Sequence, residues 1–307
     1  MIKIESRELT KFQIKLKNID YIQDPNLSSQ WKIEGLSFGD INLIVGKNAS
    51  GKSRILQAVN HLALLISTSD YLQKEYLQTD SQIRKWQVVF EDQETHQEKT
   101  YTLTIDQGKV TEEKLETPDK TYLHRDASGQ GQIWAEELQQ EMRFQTPTNE
   151  VAAIKRRDSI QHPFLEELYQ WASSSKYYQF GTRFGQNSFA NFSQDIDLEK
   201  LINRIDFRDQ NFVIGIFTIG QNKFGSKFTD LILEDMEKIG YVLSEINTLK
   251  AHFKIPVKDL HNLYVQEKEL SQITQQSEMS QGMFRALSLI IQLNYSLLAD
   301  SSRKFTL

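Results

Sequence analysis

Eight consecutive residues near the start of the chain have the types and spacing that hold phosphate groups. They are Gly46, Lys47, Asn48, Ala49, Ser50, Gly51, Lys52 and Ser53. This is the P-loop (Walker A) pattern G-x-x-x-x-G-K-[ST], whose glycines let backbone N–H groups point inward at phosphate oxygens. Lys52 is expected to reach the β- and γ-phosphates, and the Ser53 hydroxyl to be a ligand of Mg²⁺. The motif predicts a nucleotide-binding site; the alternative is a glycine-rich turn that matches by chance.

A P-loop has to join a strand to the start of a helix. Residues 41–45 are a short apolar, β-branched run that predicts the strand. After the motif, apolar residues recur at helical spacing up to Ser67. They are Ile55, Leu56, Val59, Leu62, Ala63 and Ile66. Strand, loop and helix are therefore predicted in the order that phosphate binding requires.

Composition narrows the class of protein. The chain has 307 residues, of which 39% are apolar and 25% charged, as in an ordinary globular protein. The net charge of −5 argues against a chain dominated by nucleic-acid binding. The chain has no cysteine, which excludes disulfides, thiolate catalysis and Cys-ligated zinc. No apolar run approaches the roughly 18 residues that span a bilayer, and no signal-peptide pattern is present, so we expect a cytoplasmic protein without a membrane partner.

The rest of the chain alternates between strand and helix patterns. Strands are predicted at residues 12–17, 31–38, 86–90, 100–105, 121–124, 212–217 and 262–266. Helices are predicted near residues 163–172, 228–246 and 282–299. Turn residues join the strands between 86 and 136, which indicates an antiparallel β-meander inserted after the P-loop helix.

A second motif lies late in the chain and opens the last predicted helix. Ser280, Gly282 and Arg285 form the pattern Ser-x-Gly-x-x-Arg directly before a strongly apolar run. A helix N-terminus attracts anions, so a serine and a glycine at this position suit phosphate. The alternative interpretation is an N-cap followed by a small residue at a crowded helix start.

The P-loop and this second pattern, in this order, resemble the ABC-type ATPases, most closely the SMC, RecF and OLD-like branch of AAA-family ATPases. The resemblance covers the whole chain in outline. It implies an α/β P-loop NTPase of ABC-ATPase-like architecture with an inserted antiparallel β-meander and helical region. One domain over residues 1–307 would comprise a P-loop lobe (1–67), the insertion (68–255) and the signature strand and helix (256–307).

The resemblance also implies a mode of action. In this family ATP and Mg²⁺ are sandwiched in a head-to-tail dimer, between the P-loop of one copy and the signature motif of the other. Carried over, Ser280 contacts the γ-phosphate, the Gly282 backbone N–H approaches it, and Arg285 matches the family's basic residue. The family couples ATP hydrolysis to DNA-related or defence activity, which implies DNA or a nuclease as a partner.

One departure from the family concerns hydrolysis. Family members carry a Walker B strand, four apolar residues and then Asp-Asp or Asp-Glu, shortly after the signature helix. Here Phe305, Thr306 and Leu307 look like the first residues of that strand, so the copy is expected to be truncated before Walker B and its catalytic residues stay unknown. Residues 231–235 resemble the motif, but they precede the signature and have helical periodicity. Nucleotide binding is therefore expected and efficient hydrolysis is not.

The sequence also allows other functions and other roles for single residues. The chain could be a nucleotide-gated, non-hydrolysing interaction module, or a P-loop kinase or GTPase of another class. The family's Mg²⁺-sensing glutamine could be Gln179 or Gln186. Tyr21 or Trp31 could stack on adenine or pack in the core or a hairpin. The basic run 155–157 could touch nucleic acid or lie on an exposed helix or loop. The six histidines share no metal-ligand spacing.

Overall fold

The structure is a computed structural model that describes residues 13–24, 30–47, 50–76, 83–175, 177, 186, 190–191, 213–250 and 260–303. The chain divides into two compact units, Lys11–Lys176 and a second unit that includes Tyr177–Leu307. The P-loop belongs to the first unit and Ser280 to the second. None of the described helices is both long enough and apolar enough to cross a membrane.

An eight-stranded antiparallel sheet forms the body of the first unit. Its strands are β1 (Ile14–Gln23), β2 (Trp31–Ser37), β3 (Arg84–Asp92), β4 (Glu98–Asp106), β5 (Lys109–Glu116), β6 (Thr121–Arg125), β7 (Gln130–Ala135) and β8 (Gln140–Gln145). They are ordered β2-β1-β3-β4-β5-β6-β7-β8. The predicted meander is confirmed, and it continues to Gln145.

Local sequence explains the register of the meander. The turn between β4 and β5 has two central residues, Gln107 and Gly108, with positive φ of 47° and 71°. A two-residue hairpin of this twist requires positive φ at both positions. In β3 the burial alternates between the two faces, so Trp86, Val88 and Phe90 are fully buried on one side of the sheet. The period of two therefore sets which face packs on the helices.

Four helices complete the described part of this unit, and they share its core. They are α1 (Lys52–Ser67), α2 (Tyr71–Tyr76), α3 (Ala152–Lys155) and α4 (Pro163–Ser174). The indole Nε1 of Trp86 donates a buried hydrogen bond of 3.0 Å to the carbonyl oxygen of Ala58. Phe90 packs edge-on against Trp171 at 4.8 Å between ring centroids. The P-loop helix and the meander thus belong to one hydrophobic core.

The second unit combines three described helices with a small sheet. The helices are α5 (Val213–Phe224), α6 (Ser226–Lys238) and α7 (Gln281–Arg303). The strands are β9 (Ala190–Asn191), β10 (Leu243–Lys250), β11 (Leu260–Glu267) and β12 (Thr274–Gln275). β11 pairs antiparallel with the other three. The predicted strand at 262–266 and helix at 282–299 are confirmed, and residues 231–235 are helical, as their periodicity indicated.

Two predictions in this unit are wrong. Residues 212–217 were predicted as a strand, but Val213–Phe224 is a helix. A helix buried on nearly all sides has a continuous apolar sequence, and a short run of this kind does not distinguish it from a buried strand. The predicted long helix 228–246 ends at Lys238, because Gly240 adopts a left-handed φ of 95°. Tyr241 N donates to Met236 O and Gly240 N to Glu237 O, both at 3.0 Å, which is a Schellman C-cap.

All described strand pairs are antiparallel, and a parallel strand beside the P-loop is not among them. The α/β P-loop NTPase class therefore stays a prediction from the motifs.

Candidate functional site

The P-loop lies between β2 and α1, and its two glycines are needed for different reasons. Gly51 precedes the helix with φ 91° and ψ 3°, a left-handed conformation that side chains disfavour. Its carbonyl oxygen accepts hydrogen bonds from Arg54 N at 2.9 Å and Ile55 N at 3.1 Å. A Cβ added to Gly46 would lie 2.7 Å from the Ser50 hydroxyl oxygen, so the turn there is sterically tight. Asn48 and Ala49 lie outside the described residues, so the phosphate-binding conformation of the loop stays a prediction.

The Lys52 side chain curls back over this loop. Its ammonium group donates hydrogen bonds to the carbonyl oxygens of Gly46, at 2.8 Å, and Lys47, at 2.6 Å. The Lys52 ammonium therefore lies against the carbonyl oxygens of its own loop.

The charge around the start of α1 favours an anion. Since α1 begins at Lys52, the N–H groups of Lys52 and Ser53 have no intrahelical acceptor. The first turn contains no acidic residue, although carboxylates are the usual complement of a helix N-terminus. Residues 41–69 contain no Asp or Glu at all, in a chain with 41 acidic residues. The cations Lys47, Lys52 and Arg54 therefore add to the positive end of the helix dipole.

Ser53 and its surroundings fit a magnesium ion that arrives with its nucleotide. The Ser53 residue is exposed at the first turn of α1. Among the described residues no group of three His, Asp or Glu side chains forms a metal cluster. Mg²⁺ usually keeps several waters and binds through one or two protein ligands plus substrate phosphates. A single hydroxyl is thus the donor set expected for a nucleotide-borne Mg²⁺.

The strand predicted before the P-loop is not formed. β2 ends at Ser37, and residues 41–45 have no regular secondary structure. Ile41 is 95% exposed, Leu43 86% and Val45 76%. A strand exists only where a neighbour takes its ladder hydrogen bonds, and no described strand lies beside this segment. The prediction of a strand at residues 41–45 is therefore wrong, although the run is apolar and β-branched.

Arg54 was not among the predicted site residues, whereas packing in the hairpin was one of the two uses predicted for Trp31. The Trp31 ring lies against Gly51, with its Nε1 3.3 Å from where a Cβ of Gly51 would stand. The guanidinium carbon of Arg54 is 5.7 Å from the Trp31 ring centroid. Trp31 also contacts Tyr21 at 5.5 Å between centroids, so packing in the hairpin is its observed use. An arginine two positions after the P-loop lysine was the signal that could have found this contact.

The signature segment opens α7. The Ser280 hydroxyl oxygen accepts a hydrogen bond of 3.1 Å from Met283 N, which makes Ser280 the N-cap of the helix. That bond uses an oxygen lone pair and leaves the hydroxyl proton able to donate to a ligand. Ser280, Gly282 and Arg285 are all exposed.

Packing in this unit does not require a glycine at position 282. A Cβ added there would meet Tyr241 at 3.5 Å and Ser280 at 4.0 Å, which are ordinary contact distances. The described contacts of the second unit therefore give no steric reason for a glycine at this helix start. The N-cap alternative for Ser280 is observed, and it is compatible with phosphate contact.

Gln186 shapes the turn that leads into the signature. It is buried, and its Nε2 donates to the carbonyl oxygens of Gln276, at 3.2 Å, and Met279, at 2.6 Å. Gln276 Nε2 donates in return to Gln186 O at 3.0 Å. Because both donors of Gln186 are used inside the unit, its observed role is to support the segment before Ser280. Gln179, the other candidate for a Mg²⁺-sensing glutamine, lies outside the described residues.

The basic run 155–157 makes contacts within its own unit. Lys155 pairs with Glu150 at 3.1 Å, and Arg157 with Glu166 at 3.2 Å. The Arg156 guanidinium lies 5.3 Å from the Phe144 ring centroid. These contacts favour the solvated-surface interpretation.

Comparison with protein-family models finds no match, and comparison with curated proteins finds no significant relative. The two motifs and their geometry therefore carry the functional argument.

Proposed function

We propose that this chain binds ATP with Mg²⁺ at the loop Gly46 to Ser53, and that it acts as an ABC-type member of the AAA-family ATPases. The observation that carries the proposal is the Lys52 ammonium held against the P-loop carbonyls at the N-terminus of a helix whose first turn has no carboxylate. The cations Lys47, Lys52 and Arg54 and two helix N–H groups belong to this loop and helix start, which suits a polyanionic phosphate chain.

Each P-loop residue has its own proposed role in binding the nucleotide. On binding, Lys52 exchanges its two carbonyl acceptors for phosphate oxygens, which are charged and therefore stronger acceptors. The N–H groups of Lys52 and Ser53 bind phosphate oxygens along the helix axis. Ser53 Oγ would hold Mg²⁺, which in this setting neutralises and orients the phosphates.

The signature half is proposed to come from a second copy. The exposed Ser280 hydroxyl donates to the γ-phosphate while its lone pair keeps the helix cap. The Gly282 N–H approaches the same phosphate, because glycine at the second helical position leaves the backbone accessible. Arg285, one turn further on, adds a positive charge on that end of α7. ATP then joins two chains head to tail, with closure depending on the γ-phosphate.

The activity coupled to ATP is proposed from the resemblance to ABC-type ATPases. The resemblance supports a DNA-related or defence role, with DNA or a nuclease as partner and the cytoplasm as location. The α/β ATPase architecture belongs to the same proposal and rests on the motifs.

Binding at the P-loop is tested by titrating Mg-ATP into the wild type, Lys52→Ala and the matched control Lys109→Ala, using calorimetry. Lys109 is an exposed lysine at the β4–β5 hairpin, remote in sequence from the loop. Loss of a charged hydrogen-bond donor should weaken binding by about 10- to 100-fold in Lys52→Ala and leave Lys109→Ala unchanged. Equal affinity of all three proteins would refute the P-loop assignment.

The dimer is tested by sedimentation with ATP, ADP or no nucleotide. We expect ATP-dependent dimers in the wild type, and none in Ser280→Ala or in Lys52→Ala alone. A mixture of these two variants should form dimers with one intact site, since each supplies the half that the other lacks. Phosphate release measured on the same samples separates an ATPase from a nucleotide-gated module.

A further inference from the structure

Arg54 occupies an unusual electrostatic position. It is the third residue of α1, it is exposed, and it lies two residues after Lys52 at the positive end of the helix. A cation in the first helical turn is unfavourable unless an anion is near. The structure gives Arg54 no ion pair with any carboxylate among the residues it describes.

The arginine is nevertheless held in place. Its guanidinium carbon lies 5.7 Å from the Trp31 ring centroid, within the range of a cation–π contact. A cation–π contact draws the guanidinium toward the indole without using its N–H groups, which stay available for a bidentate acceptor. The arginine is therefore oriented at the loop without being neutralised.

Trp31 itself contacts two neighbours besides Arg54. Its ring packs on Gly51, where the nearest ring atoms are 3.3–3.7 Å from the position of an added Cβ. It also contacts the ring of Tyr21, which lies 5.1 Å from the ring of Trp86. Trp86 in turn donates its hydrogen bond to Ala58 of α1. The indole is thus tied to the sheet, to the P-loop and, through Trp86, to the P-loop helix.

We propose that Arg54 is a third phosphate-binding cation of this site, beside Lys52, and that Trp31 is the residue that positions it. The ligand class is a nucleoside di- or triphosphate, whose phosphate oxygens accept a bidentate pair of N–H bonds from the guanidinium. The proposal rests on the function proposed above and deepens it, because the P-loop pattern itself assigns no role to the residue after Ser53.

The test is a double-mutant cycle on nucleotide affinity. Calorimetric dissociation constants for Mg-ATP are measured for the wild type, Arg54→Gln, Trp31→Leu and the double variant, with Arg143→Gln as the matched control. Arg143 is an exposed arginine on β8 of the same unit. We expect about 10-fold weaker binding for Arg54→Gln, and a double variant no weaker than Arg54→Gln alone, because Trp31 acts through Arg54. Arg143→Gln should bind like the wild type.

Two further readouts separate phosphate contact from a structural role. Raising the salt concentration should weaken wild-type binding more than Arg54→Gln binding, since the variant lacks one screened charge. Arg54→Lys should recover only part of the affinity, because an ammonium neither stacks as a plane nor binds bidentately. Thermal unfolding of each variant checks that the protein is folded at the temperature of the affinity measurement.

The outcomes distinguish the two proposals. If Lys52→Ala loses affinity and Arg54→Gln does not, the P-loop assignment stands and the role of Arg54 is overturned. Additive losses in the double variant would overturn the positioning role of Trp31. If Lys52→Ala itself binds normally, the function proposed for the loop fails first.

Discussion

The Lys52 ammonium donates a hydrogen bond of 2.8 Å to the carbonyl oxygen of Gly46, the first residue of the same loop. The lysine that is predicted to bind phosphate thus bridges the two ends of the P-loop. This intramolecular contact stands where the ligand contact is proposed. Nucleotide binding must replace a neutral acceptor by a charged one, and the gain in electrostatic energy is the proposed source of affinity.

The second P-loop glycine should be intolerant of any side chain. Gly51→Ala places a residue at φ 91° and a methyl group 3.3 Å from Trp31 Nε1, so we expect a loss of about 1–2 kcal/mol in stability and much weaker Mg-ATP binding. Gly35→Ala is the control, because Gly35 has φ 62° with nothing within 4 Å. It should show the backbone strain alone and normal nucleotide binding. Urea unfolding and calorimetry measure both effects; normal binding by Gly51→Ala would contradict this account of the loop.

Removing one partner of the buried ion pair in the first unit should strongly reduce stability, because the other charge is left buried and uncompensated. The Glu113 and Arg125 side chains are fully buried and 3.5 Å apart. Glu113 also accepts 2.7 Å hydrogen bonds from Ala152 N and Ala153 N; burial raises the pKa of this carboxyl, and those bonds oppose the rise. Glu113→Gln leaves Arg125 without an anion and replaces an acceptor by a donor. We expect a loss of about 3–5 kcal/mol in urea unfolding.

The control for this ion pair is an exposed one in the same unit. Lys32 and Glu34 lie 2.7 Å apart with side chains 50% and 66% exposed. Solvent screens such a pair, so Glu34→Gln should change stability by less than about 1 kcal/mol. Equal losses of stability for Glu113→Gln and Glu34→Gln would mean that burial does not determine the cost of removing a charge from this unit.

The exposed segment before the P-loop should tolerate a polar residue. Leu43 is 86% exposed, so Leu43→Ser is expected to change the free energy of unfolding by at most about 0.5 kcal/mol. Leu103 in β4 is fully buried, and Leu103→Ala should cost about 2–5 kcal/mol. A large cost at Leu43 would show that a neighbour covers this segment. The measurement is chemical unfolding of both variants at one temperature.

The Asp158 carboxylate should make the free energy of unfolding depend on pH in the acid range. It accepts hydrogen bonds from Gln161 N at 2.7 Å and Ile160 N at 2.8 Å, which hold its pKa below the ordinary value of 3.8. Because the folded pKa is below the unfolded one, the stabilisation is complete above about pH 4 and is lost as pH falls through the folded pKa. Asp158→Asn should therefore show a weaker loss of stability between about pH 4 and pH 2 than the wild type. Asp119→Asn, in an exposed turn, is the control, and identical profiles for wild type and Asp158→Asn would contradict the assignment.

Sequence reasoning succeeded where conformation depends on near neighbours. The strands of the meander, the turn residues that join them and the N-cap interpretation of Ser280 all follow from residues a few positions apart. It failed at residues 212–217, because a buried helix and a buried strand share the same apolar composition. It failed again at residues 41–45, where the strand pattern is clear but the partner strand is a property of the whole fold.

The sequence by itself determined the phosphate-binding chemistry proposed here, because a P-loop is a local backbone conformation set by two glycines, a lysine and a serine. The same holds for Ser280 and Gly282, whose roles at a helix start depend on adjacent residues. Only the tertiary structure showed Arg54 on Trp31, Trp31 on Gly51, and Glu113 beside Arg125. These contacts join positions 12 to 23 residues apart in sequence. The packing of Trp31 against the loop and α1 decides the first two, and the pairing of β5 with β6, which sets Glu113 opposite Arg125, decides the third. Local sequence therefore specifies the residues proposed to bind phosphate, and tertiary packing decides which other side chains lie beside that loop.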